Sequence, residues 1–189
     1  MRIFVIGDEL AAGLGDARYL GWVGRVAARS ELATPAYLAN LAIPGASTSS
    51  LAGGWRSEIE RRLATGDDCR LVVGLGIGDL REGLSTARSR LNLANLLDGA
   101  SRLHLPTFVM GPPPLHTTGD IATLSDAYAD VCARRHVPFV HTYRPLITHE
   151  QWLTDVAHND GSHPGQLGYG LLAWLALNQG WCEWVGSGS

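Results

Sequence analysis

The chain has 189 residues, enough for one domain with a well-buried core and too few for two ordinary ones. Hydrophobic residues make up 46% and charged ones 17%, which excludes a disordered chain, and 15 basic against 18 acidic residues leave no basic footprint for nucleic acid. Every basic residue is arginine, which removes Schiff-base, P-loop and general-base lysine chemistry.

The first element in chain order is Ile3-Phe4-Val5-Ile6, an unbroken apolar run that ends at Gly7 and suits a strand buried on both faces. Asp8 and Glu9 follow at once, so the run is too short for a signal peptide. A helix is predicted over 20–28, with Trp22, Val23, Val26 and Ala27 on one side, then a strand over 37–41. A second helix over 51–63 carries Leu51, Trp55, Ile59 and Leu63 at steps of four. Strands at 71–75, 107–110 and 138–141 alternate with helices at 91–103 and 123–135. A helix over 166–178, with Leu167, Leu171 and Leu175 on its core stripe, closes a single domain over 1–185; 186–189 reads as an appended tail.

Short buried strands alternating with helices predict a five-stranded parallel, doubly wound (flavodoxin-like) sheet in a three-layer α/β/α fold. Ligands of such folds sit beyond the carboxyl ends of the strands. Those ends here are Gly7-Asp8-Glu9-Leu10, Ala42-Ile43-Pro44-Gly45, Gly76-Ile77-Gly78-Asp79 and Gly111-Pro112-Pro113-Pro114.

These blocks, with Asp160-Gly161-Ser162-His163 before the closing helix, resemble those of the SGNH (GDSL) hydrolase superfamily of esterases and lipases, in that family's order from Gly7 to His163. The resemblance implies the SGNH hydrolase fold and hydrolysis of an ester or thioester by a Ser–His–Asp mechanism, without a cofactor. It implies His163 as base, Asp160 as its orienter, and Gly45, with Asn40 upstream, as the second block. The departures are as informative. The nucleophilic Ser falls on Glu9 and the oxyanion-hole Asn of block three on Gly78. Losing one oxyanion donor costs roughly a hundredfold to a thousandfold in rate. An ionised Glu9 about 4 Å from a developing oxyanion adds roughly 4 kcal/mol of repulsion at an effective dielectric near 20. Ordinary serine-esterase activity is therefore expected to be absent or very weak.

Three readings of Glu9 are open, in descending order. Glu9 pairs with His163 and the chain is a catalytically silent, ligand-binding pseudoenzyme. Alternatively, Glu9 serves as nucleophile or as general base for water. Last, Ser47, Ser49 or Ser162 substitutes for the missing hydroxyl, although N-capping and turn formation account for serines at such places. The pocket is expected to include Asp8, Asp79, Asn40 and Pro113, with Trp152 as an aromatic wall in the loop before Asp160. A Glu9–His163 pair would leave the pocket near neutral and suit a neutral or cationic guest, or a small acyl ester. His158 and His116 are candidate cleft residues whose ordinary place is a surface loop. Gly13-x-Gly15 lacks the third glycine of a dinucleotide fingerprint. No ligand spacing points to a metal, so metal and cofactor are both read as none. Cys69, Cys132 and Cys182 form no C-x-x-C pair and read as reduced thiols, consistent with a cytoplasmic chain without a membrane span.

Overall fold

The computed structural model describes residues 1–32, 35–64, 66–115 and 120–186; His116 and most of the 186–189 tail lie outside them. Five strands, β1 (Arg2–Gly7), β2 (Tyr37–Asn40), β3 (Cys69–Gly74), β4 (Thr107–Met110) and β5 (Phe139–Val140), pair in the order β2-β1-β3-β4-β5. Every pairing is parallel, with Ile3 opposite Leu38 and Arg70, and Gly7 opposite Gly74. The chain steps outward from β1 to β2 and then returns to the other side of β1 as β3. The crevice at that reversal, above the carboxyl ends of β1 and β3, is where this topology places ligands.

The helices are α1 (Glu9–Ala12), α2 (Gly21–Arg29), α3 (Thr48–Leu51), α4 (Trp55–Glu60), α5 (Ile77–Arg81), α6 (Thr86–Arg102), α7 (Ile121–Ala133), α8 (Tyr143–Leu146), α9 (Glu150–Asn159) and α10 (Gln166–Ala176). A wide turn over Leu177–Trp181 leads to α11 (Cys182–Val185). Side chains alternate along each strand, so Ile3, Val5, Val72 and Phe108 join a core with α2, α9 and α10. Phe4, Ile6, Leu71, Val73 and Val109 join the opposite core with α4, α6 and α7. Both faces are covered, which is why the strand sequences are continuous apolar runs.

The predicted 51–63 helix is two pieces, α3 and α4, separated at Gly53-Gly54, where glycine makes the helix costly to continue. Helix α6 starts earlier than predicted: Ser85 caps it by accepting from the Arg88 N–H, and its first turn is polar, so the apolar stripe of Leu93, Leu96 and Leu97 marks only its later half. Helix α9 escaped the periodic reading because only Trp152 and Val156 face the core. Helix α10 lies where predicted, but its stripe is corrected. Leu175 is buried, whereas Leu167 is exposed, and Tyr169, Leu172 and Ala173 supply the inner face.

Candidate active site

The site grows from the loops after β1, β2 and β3. Asp8 caps α1 by accepting from the Leu10 N–H at 3.0 Å, and its other oxygen is 3.4 Å from the Ile77 N–H at the start of α5. One carboxylate thus ties the first block to the third. Burial, and then the neighbouring Glu9 charge, push the Asp8 carboxyl up to about 7. Asp79 plays the matching role between α5 and α3. It accepts from the Thr48 N–H at 2.6 Å, the Thr48 hydroxyl at 2.8 Å and the Tyr128 hydroxyl at 2.7 Å. Asn40 donates to the Ala11 carbonyl at 2.8 Å and accepts from the Ala42 N–H, joining the end of β2 to α1. These three predicted pocket residues hold the loops of the site in register.

Glu9, the first residue of α1, is 1% exposed. Its Oε2 accepts from the Gly45 N–H at 2.9 Å, and its Oε1 is paired with the Arg81 guanidinium. The expected pair with His163 is therefore corrected: among the described residues no hydrogen bond or ion pair joins Glu9 to His163. A buried carboxylate requires a counter-charge and donors, and α5 supplies the charge. Arg81 was not singled out from the sequence. Its signal was available, since it lies one helical turn beyond Gly78 in the third block.

His163 forms its bond with Asp160 instead. His163 Nδ1 lies 2.6 Å from Asp160 Oδ2, while Asp160 Oδ1 accepts the N–H groups of Ser162 and His163 at 2.8 and 2.6 Å. A carboxylate at Nδ1 fixes the tautomer with its proton there and leaves Nε2 unprotonated. Burial raises the Asp160 carboxyl, but the His163 ring and the two N–H groups outweigh it and hold it below its ordinary value. The dyad is braced by the turn after α1. Asn159 Nδ2 donates to the carbonyls of Gly15 and His163, and a Cβ on Gly15 would lie 2.8 Å from His163 Cβ. The Gly13-x-Gly15 segment thus serves as a seat for the His163 loop.

Gly78 offers no side-chain donor and no room for one: a Cβ there would stand 2.1 Å from the Ala46 carbonyl oxygen. Among the described residues, the Gly45 N–H and Arg81 are the donors to the Glu9 carboxylate in this corner. Pro113 is buried and lines a small void with Asp8, Gly74 and Ile77 beneath the site. Trp152 is corrected from a pocket wall to a core residue. It sits on α9, is 0% exposed, and its indole N–H donates to the Pro114 carbonyl at 2.8 Å. Trp152→Ala is accordingly expected to lower unfolding free energy by about 3–5 kcal/mol, read as a shifted denaturant midpoint; a change in ligand affinity with an unmoved midpoint would contradict this placement.

Of the alternative serines, Ser47 has structural work. Ser47 caps α3, accepting from the Ser50 N–H and donating to Glu82 at 2.7 Å. Ser49 is exposed on α3, and Ser162 is part of the Asp160 turn. His158 is exposed at the end of α9, with Nδ1 2.8 Å from the Thr154 carbonyl.

A five-stranded parallel sheet with a His–Asp pair and a buried, arginine-paired carboxylate near its carboxyl ends fits a three-layer α/β/α domain of SGNH type. The chain belongs to the GDSL-like Lipase/Acylhydrolase family, whose model matches residues 5–171. It is similar in fold to the lipase/acylhydrolase from Enterococcus faecalis, with 22% identity, 95% of each chain covered and a TM-score of 0.77. A mutant of Axe2, an acetyl-xylooligosaccharide esterase from Geobacillus, gives 16% identity, 97% and 95% coverage and a TM-score of 0.78. The psychrotrophic esterase EstA from Pseudoalteromonas sp. gives 18% identity, 98% and 99% coverage and a TM-score of 0.73. No curated protein sequence matches the chain.

Proposed function

We propose that this member of the acylhydrolase family is silent as a serine esterase and uses the crevice to bind a small acyl compound. The observation that carries the reading is the Glu9 carboxylate, which takes up both the Gly45 N–H and the Arg81 guanidinium. A substrate oxyanion would need those donors. The same contacts argue against Glu9 as nucleophile or general base, because each of its oxygens already accepts a donor, one of them a guanidinium, and the carboxylate would have to leave that charge-assisted pairing to react. Glu9 and Arg81 cancel one another, and Asp160 faces His163, so a neutral guest fits better than an anionic one.

A second reading rests on the intact His163–Asp160 dyad, which is built as a general base and would be able to activate water for slow hydrolysis. One pair of measurements tests both. Wild type is expected to take no fluorophosphonate label at any serine, and its hydrolysis of short-chain activated esters to equal that of His163→Ala. A serine label that disappears in His163→Ala would overturn the silent reading in favour of a substitute nucleophile. Label-free hydrolysis that disappears in His163→Ala would establish the water route.

A further inference from the structure

We propose that the outer face of α10, together with the loop over 16–20, docks on an anionic membrane surface. Helix α10 reads QLGYGLLAWLA: apart from Gln166 and the Tyr169 hydroxyl it has no polar side chain, and it has no charge. Its inner face is buried, yet Leu167 remains 63% and Trp174 56% exposed on the outer face. A surface helix ordinarily carries a polar outer face. With Leu20 and Leu171, these two side chains line an open groove of about 590 Å³.

The rim of the groove is cationic. Arg18, Arg25 and Arg29 line it, and no acidic residue does, although the whole chain has a net charge of −3. Arg25 is paired with the buried Asp16. Arg18 and Arg29 are exposed and form no salt bridge among the described residues. Asp16 also accepts the N–H groups of Arg18, Leu20 and Gly21. That loop is therefore fixed, and it holds Tyr19, 90% exposed, at φ +57°, a region that side chains other than glycine avoid.

Charge complementarity selects the occupant. A second copy apposed face to face would set arginines against arginines with no groove carboxylate to pair them. Anionic headgroups satisfy the arginines, while exposed Trp and Tyr rings suit the boundary between headgroup and acyl chain. The 16–20 loop continues from the turn that seats His163, so docking here sets the crevice beside the lipid.

The test is co-sedimentation of the whole chain with vesicles of phosphatidylcholine alone and of phosphatidylcholine mixed with phosphatidylglycerol. Binding is expected only to the mixed vesicles and to weaken as salt is raised. Arg18→Gln with Arg29→Gln is expected to weaken it by about 25-fold, roughly fivefold for each arginine. Leu167→Ser with Trp174→Ser is expected to abolish it while the thermal unfolding curve stays in place. Absence of binding to mixed vesicles, equal binding to neutral ones, or binding unmoved by the arginine pair overturns the proposal. So does a concentration-dependent dimer that Leu167→Ser with Trp174→Ser dissolves, since the face would then cover a second copy.

Discussion

Glu9→Ser is expected to produce hydrolysis of short-chain activated esters at least about a hundredfold above wild type, and entirely dependent on His163. The substitution does more than add a hydroxyl. It withdraws the carboxylate from the Gly45 N–H and from Arg81, and so frees the donors that converge on the crevice. The His163–Asp160 bond needs no rebuilding. Arg81 then takes the place of the missing side-chain donor, and Arg81→Ala in the Glu9→Ser background is expected to lose roughly a hundredfold. The family pattern alone suggests that adding Gly78→Asn would raise activity further, because nucleophile and oxyanion donor act as a unit. The structure reverses that expectation. The Gly78 backbone lies against Ala46, so an Asn side chain must push the Gly45 loop away, and the double variant is expected to be less stable and no more active. Initial rates and melting curves for the two variants decide the matter. A folded but inactive Glu9→Ser protein, or a double variant more active than the single one, would show that Arg81 is not the donor of this corner.

Stability is expected to fall as pH rises from about 4 to about 7, by an amount on the order of 4 kcal/mol, and Asp8→Asn is expected to flatten that fall. Asp8 stands at 3.8 in its ordinary state and at about 7 when buried beside Glu9. A carboxyl whose folded value is raised contributes fully below its unfolded value, and the contribution is lost as pH passes the folded one. Asp16 has the opposite sign. Burial pushes it up, but Arg25 and the loop N–H groups prevail and hold it at about 2. Its contribution is present above about pH 4 and is lost as pH falls toward 2. Greatest stability therefore lies on the acid side of neutral. Asn keeps the acceptor that caps α1, so Asp8→Asn separates titration from capping. Urea midpoints at about pH 5 and about pH 8 provide the measurement. Wild type should be lower at the higher pH and the variant equal at both; a wild-type midpoint unchanged between them would remove Asp8 as the titrating group.

The five strands, their alternation with helices, and the placing of Asp8, Glu9, Gly45, Gly78 and His163 in or beside the loops between these elements were legible in the amino-acid order alone. These follow from local regularities: apolar period along a strand, stripe spacing along a helix, and motifs only a few residues long. The pairing of Asp160 with His163 was legible for the same reason, since the two lie three residues apart. The partner of Glu9 was not legible. Glu9 and Arg81 are 72 residues apart, and they meet only because β1 and β3 are neighbours in the sheet. The burial of Trp152 and the exposure of Leu167 also depended on tertiary contacts: Trp152 is covered because Pro114 and α10 pack over α9, and Leu167 is bare because nothing among the described residues packs over the outer face of α10. Hydrophobic pattern states which side chains favour burial; which of them is covered, and which charge meets which, is settled by the elements that the fold brings alongside.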